Sequence, residues 1–392
     1  MAEDARRIYW IHSGRFDVKA DKSTWLEMAR GLTGKGMEVH LVTGFKNRTG
    51  DFREYDIAIH YLKSSRFPFL FRLFLMVHIC VFLFKEAVSS DIIVVDLASL
   101  PCGALIKYLK GCPLHCDFRT PYVEKITLKR KLDYWFTWRM EARSLICFCD
   151  TYSFISEGLR RMLAKQLSLP PRNYIIWESA VNCDLFRPRD GVAHEKFIVL
   201  YHGSICQERG LGRLIEAVKY LDLQTRQTMV LRFVGNGAFV PQLKKKVEEL
   251  GLQATVEFKD LQPYERMPEE IAQADIGISP LPALDIWQVS SPLKVFEYFA
   301  CGKPAILTPI AAHRSIVGEE SFVIWTKGDD AKSFAEAIGR ACRERKRLEE
   351  DGRQAREFVV KNHSWEIRVN KLFAFFSNHI NPKATVTKIS EN

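Results

Sequence analysis

Three kinds of motif are missing from this sequence of 392 residues. Its ten cysteines include no C-x-x-C pair, so the spacing typical of a zinc site is absent. It has no G-x-G-x-x-G motif, which argues against a dinucleotide-dependent oxidoreductase. No separate pair of catalytic carboxylates stands out, which argues against a glycoside hydrolase. Many cysteines lie within apolar runs, as do the reduced, buried thiols of cytosolic proteins.

The start of the chain also lacks an apolar leader, since MAEDARRIYWIHSG is polar and leads directly into a predicted strand. The longest apolar run is Phe67–Phe84, which includes Arg72 and His78. Its length is borderline for a membrane span. Because it lies between two predicted strands of a β/α pattern, we expect a helix that packs on a sheet. Its outer side would face water or a membrane, and a span is the less favoured interpretation.

The composition is that of a folded protein, with 47% hydrophobic and 27% charged residues. The length allows two or three domains, each with its own core. The formal net charge of +10 suits an anionic partner. Nucleic acid, an anionic membrane and a phosphorylated small molecule all fit this description, and charge alone does not separate them.

Short apolar strands alternate with helices along the whole chain, which predicts parallel sheets covered on both faces. The pattern is interrupted at Leu185–Lys196, where Pro, Gly and mixed charges are typical of a linker, and then restarts. We therefore predict an α/β protein with two Rossmann-like domains that face each other across a deep cleft. The predicted domains are 1–188 and 189–362. Residues 363–392 would form a C-terminal helix and tail that pack back toward the first domain.

The stretch SSPLKVFEYFACGKPAI, residues 290–306, places polar residues at the start of an apolar helix. Ser290 and Ser291 are cap-type residues, and Pro292 suits a first helical turn. The free backbone N–H groups near Leu293 would then bind an anion.

Two charged residues follow in the same helix. Lys294 adds a positive charge to the first turn, and Glu297 lies three residues further on the same face. A carboxylate in that position accepts two hydrogen bonds from a ribose diol. The combination predicts a site for a nucleoside diphosphate. An ordinary capped helix with a Lys294–Glu297 ion pair explains this stretch equally well.

Glycine turns follow several predicted strands. In YHGSICQERGLG, Gly203 and Ser204 end a strand, and Arg209 precedes a helix and could clamp a phosphate. Taken alone, this stretch fits an ordinary strand–turn–helix with a surface arginine better. The turn at Gly235 and the N-terminal turn at Gly14 are weaker signals, because neither completes a dinucleotide fingerprint.

The first half offers candidates for binding an acceptor. Asp117 and Arg119 lie at the end of a predicted strand. Asp117 could orient or deprotonate an acceptor hydroxyl, and Arg119 could meet an acceptor phosphate. A buried Asp–Arg pair that stabilises the loop explains them equally well. His12 also ends a predicted strand, where a single histidine is more often structural.

Leu128–Arg143 interleaves basic and aromatic residues. Together with the apolar run Phe67–Phe84, it favours contact with an anionic membrane over an ordinary solvated helix. We therefore expect a sugar or lipid-linked acceptor. The expected location is the cytoplasm, at the cytoplasmic face of a membrane. No RNA-binding signature accompanies the basic residues, so no nucleic-acid partner is expected.

The order of these motifs resembles that of retaining glycosyltransferase family 4, the GT-B glycosyl transferases of group 1. The resemblance covers nearly the whole chain and is most specific in PLKVFEYFACGKP. Further similar segments are GSICQERGLGRLIEAV, LRFVGNG, ADIGISPL, ESAVNCDLFRP and CDFRTPYVE. The family transfers a sugar from a nucleotide donor with retention and needs no metal. The resemblance thus implies a nucleoside-diphosphate sugar as donor, with UDP or GDP favoured, no separate cofactor and no metal ligand.

The resemblance also assigns roles by position. Glu297 matches the second of two family glutamates, the one that holds the donor ribose, whereas the first falls at Val289. The phosphate-binding arginine and lysine of the family fall at Ser204 and Arg209, so Lys294 would supply the missing cation. The implied catalytic residues are Asp117, Arg119, Arg209 and Lys294. The implied donor contacts are Gly14, Gly203, Ser204, Arg209, Gly235, Ser290, Ser291, Pro292, Leu293, Lys294 and Glu297.

The implied enzyme is a hexosyltransferase or a related transferase that acts in the synthesis of polysaccharide, glycolipid or lipid-linked oligosaccharide. One alternative is a nucleotide-sugar epimerase or hydrolase with the same fold. A second alternative is a non-catalytic scaffold subunit, which Val289 and Ser204 support. The presence of Lys294 and Glu297 favours the transferase.

Overall fold

The computed structural model describes residues 6–15, 22–44, 50–54, 57–63, 68–120, 142–189 and 195–380. They form two compact units: Met1–Glu178 with Trp365–Asn392, and Ser179–Ser364. These divisions differ from the predicted boundaries at 188 and 362. The reason is that the segment after Glu178 packs on the second unit, where Ser179 hydrogen-bonds to Ser291 and Phe186 is fully buried.

The first unit is built on a sheet of eight strands, in the order β3-β4-β2-β1-β5-β6-β7-β8. All neighbouring strands are parallel except β3, which is antiparallel to β4. The strands are β1 Arg7–Arg15, β2 Glu38–Gly44, β3 Gly50–Glu54, β4 Ile57–Leu62, β5 Ile92–Val95, β6 Leu114–Phe118, β7 Thr151–Phe154 and β8 Asn173–Ile176. The inner strands are mainly apolar and buried, as in β5 with the sequence IIVV, because helices cover both faces of a parallel sheet.

The helices described in the first unit are α1 Lys22–Gly34, α2 Pro68–Glu86, α3 Leu100–Lys110, α4 Arg143–Leu145, α5 Glu157–Leu167 and, from the end of the chain, α15 Trp365–His379. Helix α15 packs closely on α1, since a Cβ atom on Gly31 would lie 2.2 Å from Cγ2 of Val369. The final helix is therefore part of the first unit. Of the Leu128–Arg143 segment, positions 128–141 lie outside the described residues.

Strand β1 is longer than predicted. It runs through His12 and Gly14 to Arg15, so His12 does not end the strand and Gly14 does not form the expected turn. The register with β2 shifts between Ile11 and Arg15. Asp96 holds this part of β1, because its Oδ2 accepts hydrogen bonds from the backbone N–H and the hydroxyl of Ser13, at 3.1 and 2.6 Å.

Helix α2 contains most of the long apolar run, and it packs on the sheet as expected. Leu75, Ile79 and Leu83 are fully buried at a spacing of four residues. Leu73 and Val77, on the opposite side, are exposed by 60% and 52%. None of the described helices is both long enough and apolar enough to cross a membrane.

The second unit is a parallel sheet of six strands in the order β11-β10-β9-β12-β13-β14. Its strands are β9 Phe197–His202, β10 Met229–Val234, β11 Val256–Lys259, β12 Ile276–Ser279, β13 Ala305–Leu307 and β14 Val323–Trp325. Its helices are α6 Leu211–Ala217, α7 Leu223–Thr228, α8 Val240–Glu249, α9 Met267–Ala272, α10 Asp285–Gln288, α11 Leu293–Ala300, α12 Ala311–Val317, α13 Ala331–Arg343 and α14 Leu348–Asn362. The predicted Rossmann-like architecture of both units is confirmed.

Helix α11, which carries the predicted donor residues, lies directly on the sheet. A Cβ atom on Gly277 in β12 would lie 2.3 Å from the ring of Tyr298. The Tyr298 hydroxyl donates to the carbonyl of Leu200 at 2.9 Å and accepts from the N–H of His202 at 3.2 Å. These contacts fix α11 against the carboxyl end of β9.

His313 on α12 joins two strand ends through a buried hydrogen-bond network. Its Nδ1 lies 2.8 Å from the carbonyl oxygen of Thr308, and its Nε2 lies 3.0 Å from Oγ of Ser279. Because the carbonyl can only accept, Nδ1 carries a proton. Burial lowers the pKa of His313 to about 4. The imidazole is therefore neutral near pH 7, and its Nε2 accepts from the Ser279 hydroxyl.

This histidine makes the fold sensitive to acid. Below pH 6.5 the unfolded chain binds a proton that the folded protein does not bind until about pH 4. Stability is therefore lost as the pH falls through this window, by about 2 kcal/mol at pH 5. We expect His313→Gln to lose about 2 kcal/mol less than the parent between pH 8 and pH 5 in urea unfolding. If His313→Gln lost as much stability as the parent between pH 8 and pH 5, a neutral, buried His313 would be contradicted.

Candidate functional site

Two glycine turns meet at the carboxyl ends of neighbouring strands in the second unit. Gly203 follows β9 and Gly235 follows β10, with φ angles of +110° and +152°. A Cβ atom on Gly235 would lie 2.0 Å from the carbonyl oxygen of Gly203, so the two backbones touch. Only glycine fits this contact. The ends of parallel strands are where ligands bind in such sheets.

The start of α11 differs from the prediction. The helix begins at Leu293, and Pro292 occupies the N-cap position with extended backbone angles. Ser291 is not a cap, because its Oγ accepts from the N–H of Ser179 at 3.0 Å. The Ser290 hydroxyl instead donates to the carbonyl of Trp287 at 2.8 Å. The serines therefore hold the approach to the helix, and the first-turn N–H groups have no side-chain cap.

Lys294 is a buried lysine that has no counter-ion in the part of the chain that the structure describes. Its side chain lies beside Gly203, and its Nζ is 4.7 Å from the ring centre of Tyr201. Among the described residues it makes no ion pair or hydrogen bond, so the alternative of a Lys294–Glu297 ion pair is not observed. Burial and the nearby charge of Arg209 lower the pKa of Lys294 well below its usual value, while the Glu297 charge opposes this shift.

Arg209 provides a second cation at the same edge of the sheet. It ends the short 3-10 turn Gln207–Arg209, and its guanidinium stacks over the ring of Trp287 at 4.9 Å. The indole N–H of Trp287 donates to the carbonyl of Glu208 at 2.7 Å, which fixes the ring. Nε of Arg209 is buried and has no hydrogen-bond partner among the described residues. An unpaired donor next to a buried lysine is suited to an anionic ligand.

Glu297 lies against a histidine that sequence reasoning did not single out. Oε2 of Glu297 is 3.3 Å from Nε2 of His202, and both side chains are nearly inaccessible to solvent. Burial, together with the charges of Lys294 and Arg209, lowers the pKa of His202 to about 3, so the ring is neutral. Burial raises the pKa of Glu297 to about 7, although the Lys294 charge opposes this.

The structure thus brings five predicted residues to one edge of one sheet: Gly203, Arg209, Gly235, Lys294 and Glu297. Ser204 takes part through its backbone, because its carbonyl accepts from the Tyr201 hydroxyl at 2.7 Å. Three further residues complete the site without having been predicted: Tyr201, His202 and Trp287. The position of His202 immediately before the glycine turn was the available signal. Val289, at the position where the family has a glutamate, is buried.

The predicted acceptor residues belong to the first unit and form a separate buried network. Asp117 is only 2% exposed, and its Oδ1 accepts from the Ser153 hydroxyl at 2.5 Å. Nε2 of His115 lies 2.8 Å from the same hydroxyl. The Arg119 guanidinium stacks on Trp177 at 3.6 Å and donates to its carbonyl at 2.9 Å.

The surroundings of Asp117 change its titration. Burial raises its pKa to about 6, whereas the Arg119 charge and the Ser153 hydroxyl oppose the shift. Because Asp117 is buried and Arg119 is stacked, this geometry favours the structural alternative for the pair. Their roles toward an acceptor stay predictions. Among the described residues no group of three or more His, Cys, Asp or Glu side chains is placed to hold a metal ion.

The fold is that of the GT-B glycosyltransferases, with two Rossmann-like units that each contain a parallel sheet. Two family models match the chain in succession: Glycosyltransferase Family 4 over residues 23–185, and Glycosyl transferases group 1 over residues 184–358. The chain belongs to this family of glycosyltransferases. The predicted resemblance is confirmed.

A curated relative is D-inositol 3-phosphate glycosyltransferase 1 from Catenulispora acidiphila, 25% identical over 194 residues. That match spans 45% of this chain and 45% of the relative, less than half of its length. Sucrose-phosphate synthase from Thermosynechococcus elongatus has a similar structure, with a TM-score of 0.80, 16% identity and coverage of 95% of this chain and 98% of that one. Anabaena HepE in complex with UDP and glucose gives a TM-score of 0.73, 15% identity and coverage of 95% and 99%.

Proposed function

We propose that this protein transfers a sugar from a nucleoside-diphosphate sugar to an acceptor hydroxyl with retention of configuration. The observation that supports this most directly is Lys294, which is buried beside Gly203 and makes no ion pair with any residue that the structure describes. A lysine that has lost its hydration without gaining a counter-ion destabilises the fold. An anionic ligand at this position would supply the missing charge.

The leaving group of such a reaction is a nucleoside diphosphate, whose negative charge grows as the bond to the sugar breaks. Lys294 and Arg209 would stabilise that charge in a site from which water is largely excluded. We propose that these two cations replace the metal ion that other enzymes use for the same purpose. Retention is proposed from the resemblance to the retaining family.

Glu297 would recognise the ribose of the donor. Its carboxylate accepts hydrogen bonds from two vicinal hydroxyls when it is ionised. The neutral ring of His202 would lie beside this carboxylate, at the contact of 3.3 Å. We propose UDP or GDP as the nucleotide of the donor. UDP-glucose is the first donor to test, because a structure of HepE with UDP-glucose shares this fold at a TM-score of 0.71.

The proposed acceptor is a sugar or a lipid-linked sugar, in the synthesis of polysaccharide, glycolipid or lipid-linked oligosaccharide. Basic charge supports this choice, since the net charge of +10 suits phosphorylated or membrane-bound acceptors. The proposed location is the cytoplasmic face of a membrane.

A thermal-shift panel of nucleoside diphosphates and their sugar conjugates tests the donor site. A ligand at 100 times its dissociation constant stabilises the protein by about 2.7 kcal/mol. We expect Glu297→Gln to weaken binding of the stabilising nucleotide about tenfold to hundredfold, because a hydrogen-bonded charge is lost. Glu249→Gln, at an exposed position of α8, is the matched control and should bind like the parent.

An activity assay with the nucleotide sugars of this panel separates the alternatives. A transferase consumes the nucleotide sugar only when an acceptor is present, and NMR of the product gives its anomeric configuration. Consumption without an acceptor would indicate the hydrolase or epimerase instead. If no nucleotide stabilises the parent, the donor site is absent and the scaffold interpretation replaces the transferase.

A further inference from the structure

The outer side of helices α2 and α3 in the first unit is apolar and exposed. Sixteen large apolar side chains of the described residues are exposed, and nine of them lie on these two helices and the turn after α2. On α2 the exposed residues Leu73, Val77 and Val81 recur every four positions, which places them in one stripe. This concentration is far greater than the scattered exposed apolar residues of an ordinary surface.

The two helices lie side by side and run in the same direction. Near the start of α3, Sγ of Cys102 is 3.1 Å from Sγ of Cys80 on α2. Near their ends, Nζ of Lys110 lies 5.2 Å from the ring centre of Phe84. Their exposed stripes therefore form one broad surface, the docking face, which comprises Leu73, Val77, Val81, Phe84, Leu105 and Leu109.

The charge beside the docking face is positive. Lys85 is exposed at the end of α2, and Lys110 at the end of α3 places its ammonium group next to Phe84. In the described residues of α2 and α3, the single acidic side chain is Glu86. Apolar side chains flanked by lysines complement the two layers of an anionic bilayer surface, the acyl chains and the headgroups.

We propose that the docking face binds the surface of a bilayer that contains anionic lipid, with α2 and α3 lying in the plane of the interface. Neither helix is able to span the bilayer. The lysines decide between a bilayer and a second copy of the chain. A second copy would present the same two helices to the docking face. Their single acidic residue, Glu86, would leave most of the lysine charge without an opposite charge. The proposal extends the membrane location given under the proposed function, and its test is separate from that of the donor site, since the docking face lies in the first unit and the donor residues lie in the second.

Vesicle flotation of the full chain tests the docking face. We expect the parent to float with vesicles of phosphatidylcholine mixed with phosphatidylglycerol, and salt to weaken this binding. Val77→Glu combined with Val81→Glu should weaken it by about tenfold or more, because the inserted apolar area is lost. Lys85→Gln should weaken binding to the mixed vesicles about fivefold and leave binding to pure phosphatidylcholine unchanged.

The matched control is Leu223→Glu with Leu261→Glu, two side chains of the second unit that are exposed by 66% and 64%. This variant should float like the parent, and all variants should keep the parent's melting temperature. The proposal is wrong if the parent binds neither kind of vesicle. It is also wrong if the control variant loses as much binding as the variant with Val77→Glu and Val81→Glu. Light scattering distinguishes the remaining case: self-association that requires Val77 and Val81, without vesicle binding, would make the face an interface between copies.

Discussion

Replacing Lys294 with methionine is expected to lower kcat/KM about 10²–10³-fold without lowering the melting temperature. The rate falls because one of the two cations that face the leaving diphosphate is removed. Stability does not fall because Lys294 is buried beside Arg209 with no ion pair to any described residue, and methionine fills a similar volume with no charge to desolvate. The substitution would therefore lower activity without lowering stability, as is common at sites that bind a ligand.

The measurement pairs initial rates with thermal melts of the parent and of two lysine variants. Lys303→Met is the control, because burial also lowers the pKa of Lys303. This residue precedes β13 and so lies at the amino ends of the strands, away from the donor site at their carboxyl ends. The control variant should retain the parent's rate. If Lys294→Met kept the parent's rate, Lys294 would have no role in the leaving step. A large fall in melting temperature would show that the ammonium group stabilises the fold instead.

Gly235→Ala is expected to destabilise the second unit by about 4 kcal/mol or more and to abolish nucleotide binding. The added Cβ would lie 2.0 Å from the Gly203 carbonyl oxygen, a backbone atom that no side-chain rotation can move away. The φ angle of +152° adds strain for any residue other than glycine. Because Gly203 lies beside Lys294, displacement of its carbonyl disturbs the binding site as well as the fold.

Gly251→Ala separates the contact from the backbone strain. Gly251 also has a positive φ, of +63°, but nothing lies within 4 Å of an added Cβ. Its substitution should cost about 1–2 kcal/mol and leave nucleotide binding intact. Urea unfolding of the three proteins, followed by nucleotide thermal shifts, gives the comparison. If Gly235→Ala and Gly251→Ala lowered the free energy of unfolding equally, the contact between the turns at Gly203 and Gly235 would not be rigid.

The strands show where sequence patterns suffice. Apolar runs predicted every strand of both sheets except β3, because a strand that packs against helices on one or both faces carries apolar side chains there. Strand β3, Gly50–Glu54, has the sequence GDFRE and shows no such run. It exists because it pairs with β4 as the antiparallel edge of the sheet, a partner that its own residues do not reveal. The extension of β1 through Gly14 has a similar origin, in the bonds between Ser13 and Asp96.

The serines before α11 show where local patterns mislead. Cap-type residues directly before a helix predict a side-chain cap. Here the N–H and hydroxyl of Ser179, 112 positions earlier, engage Ser291 instead. The same long-range packing places the start of the second unit at Ser179, ahead of the predicted linker.

The sequence by itself determined the β/α order of the two units, the glycine turns, and the presence of Arg209, Lys294 and Glu297 near the same strand ends. These follow from periodicity, from the backbone freedom of glycine and from motif spacing, which are local properties. Only the tertiary structure decided that Glu297 contacts His202, that Lys294 has no counter-ion within the described ranges, and that one side of α2 is exposed. Burial and charge depend on residues distant in the chain, so pKa shifts and surface exposure arise only after the sheets are assembled.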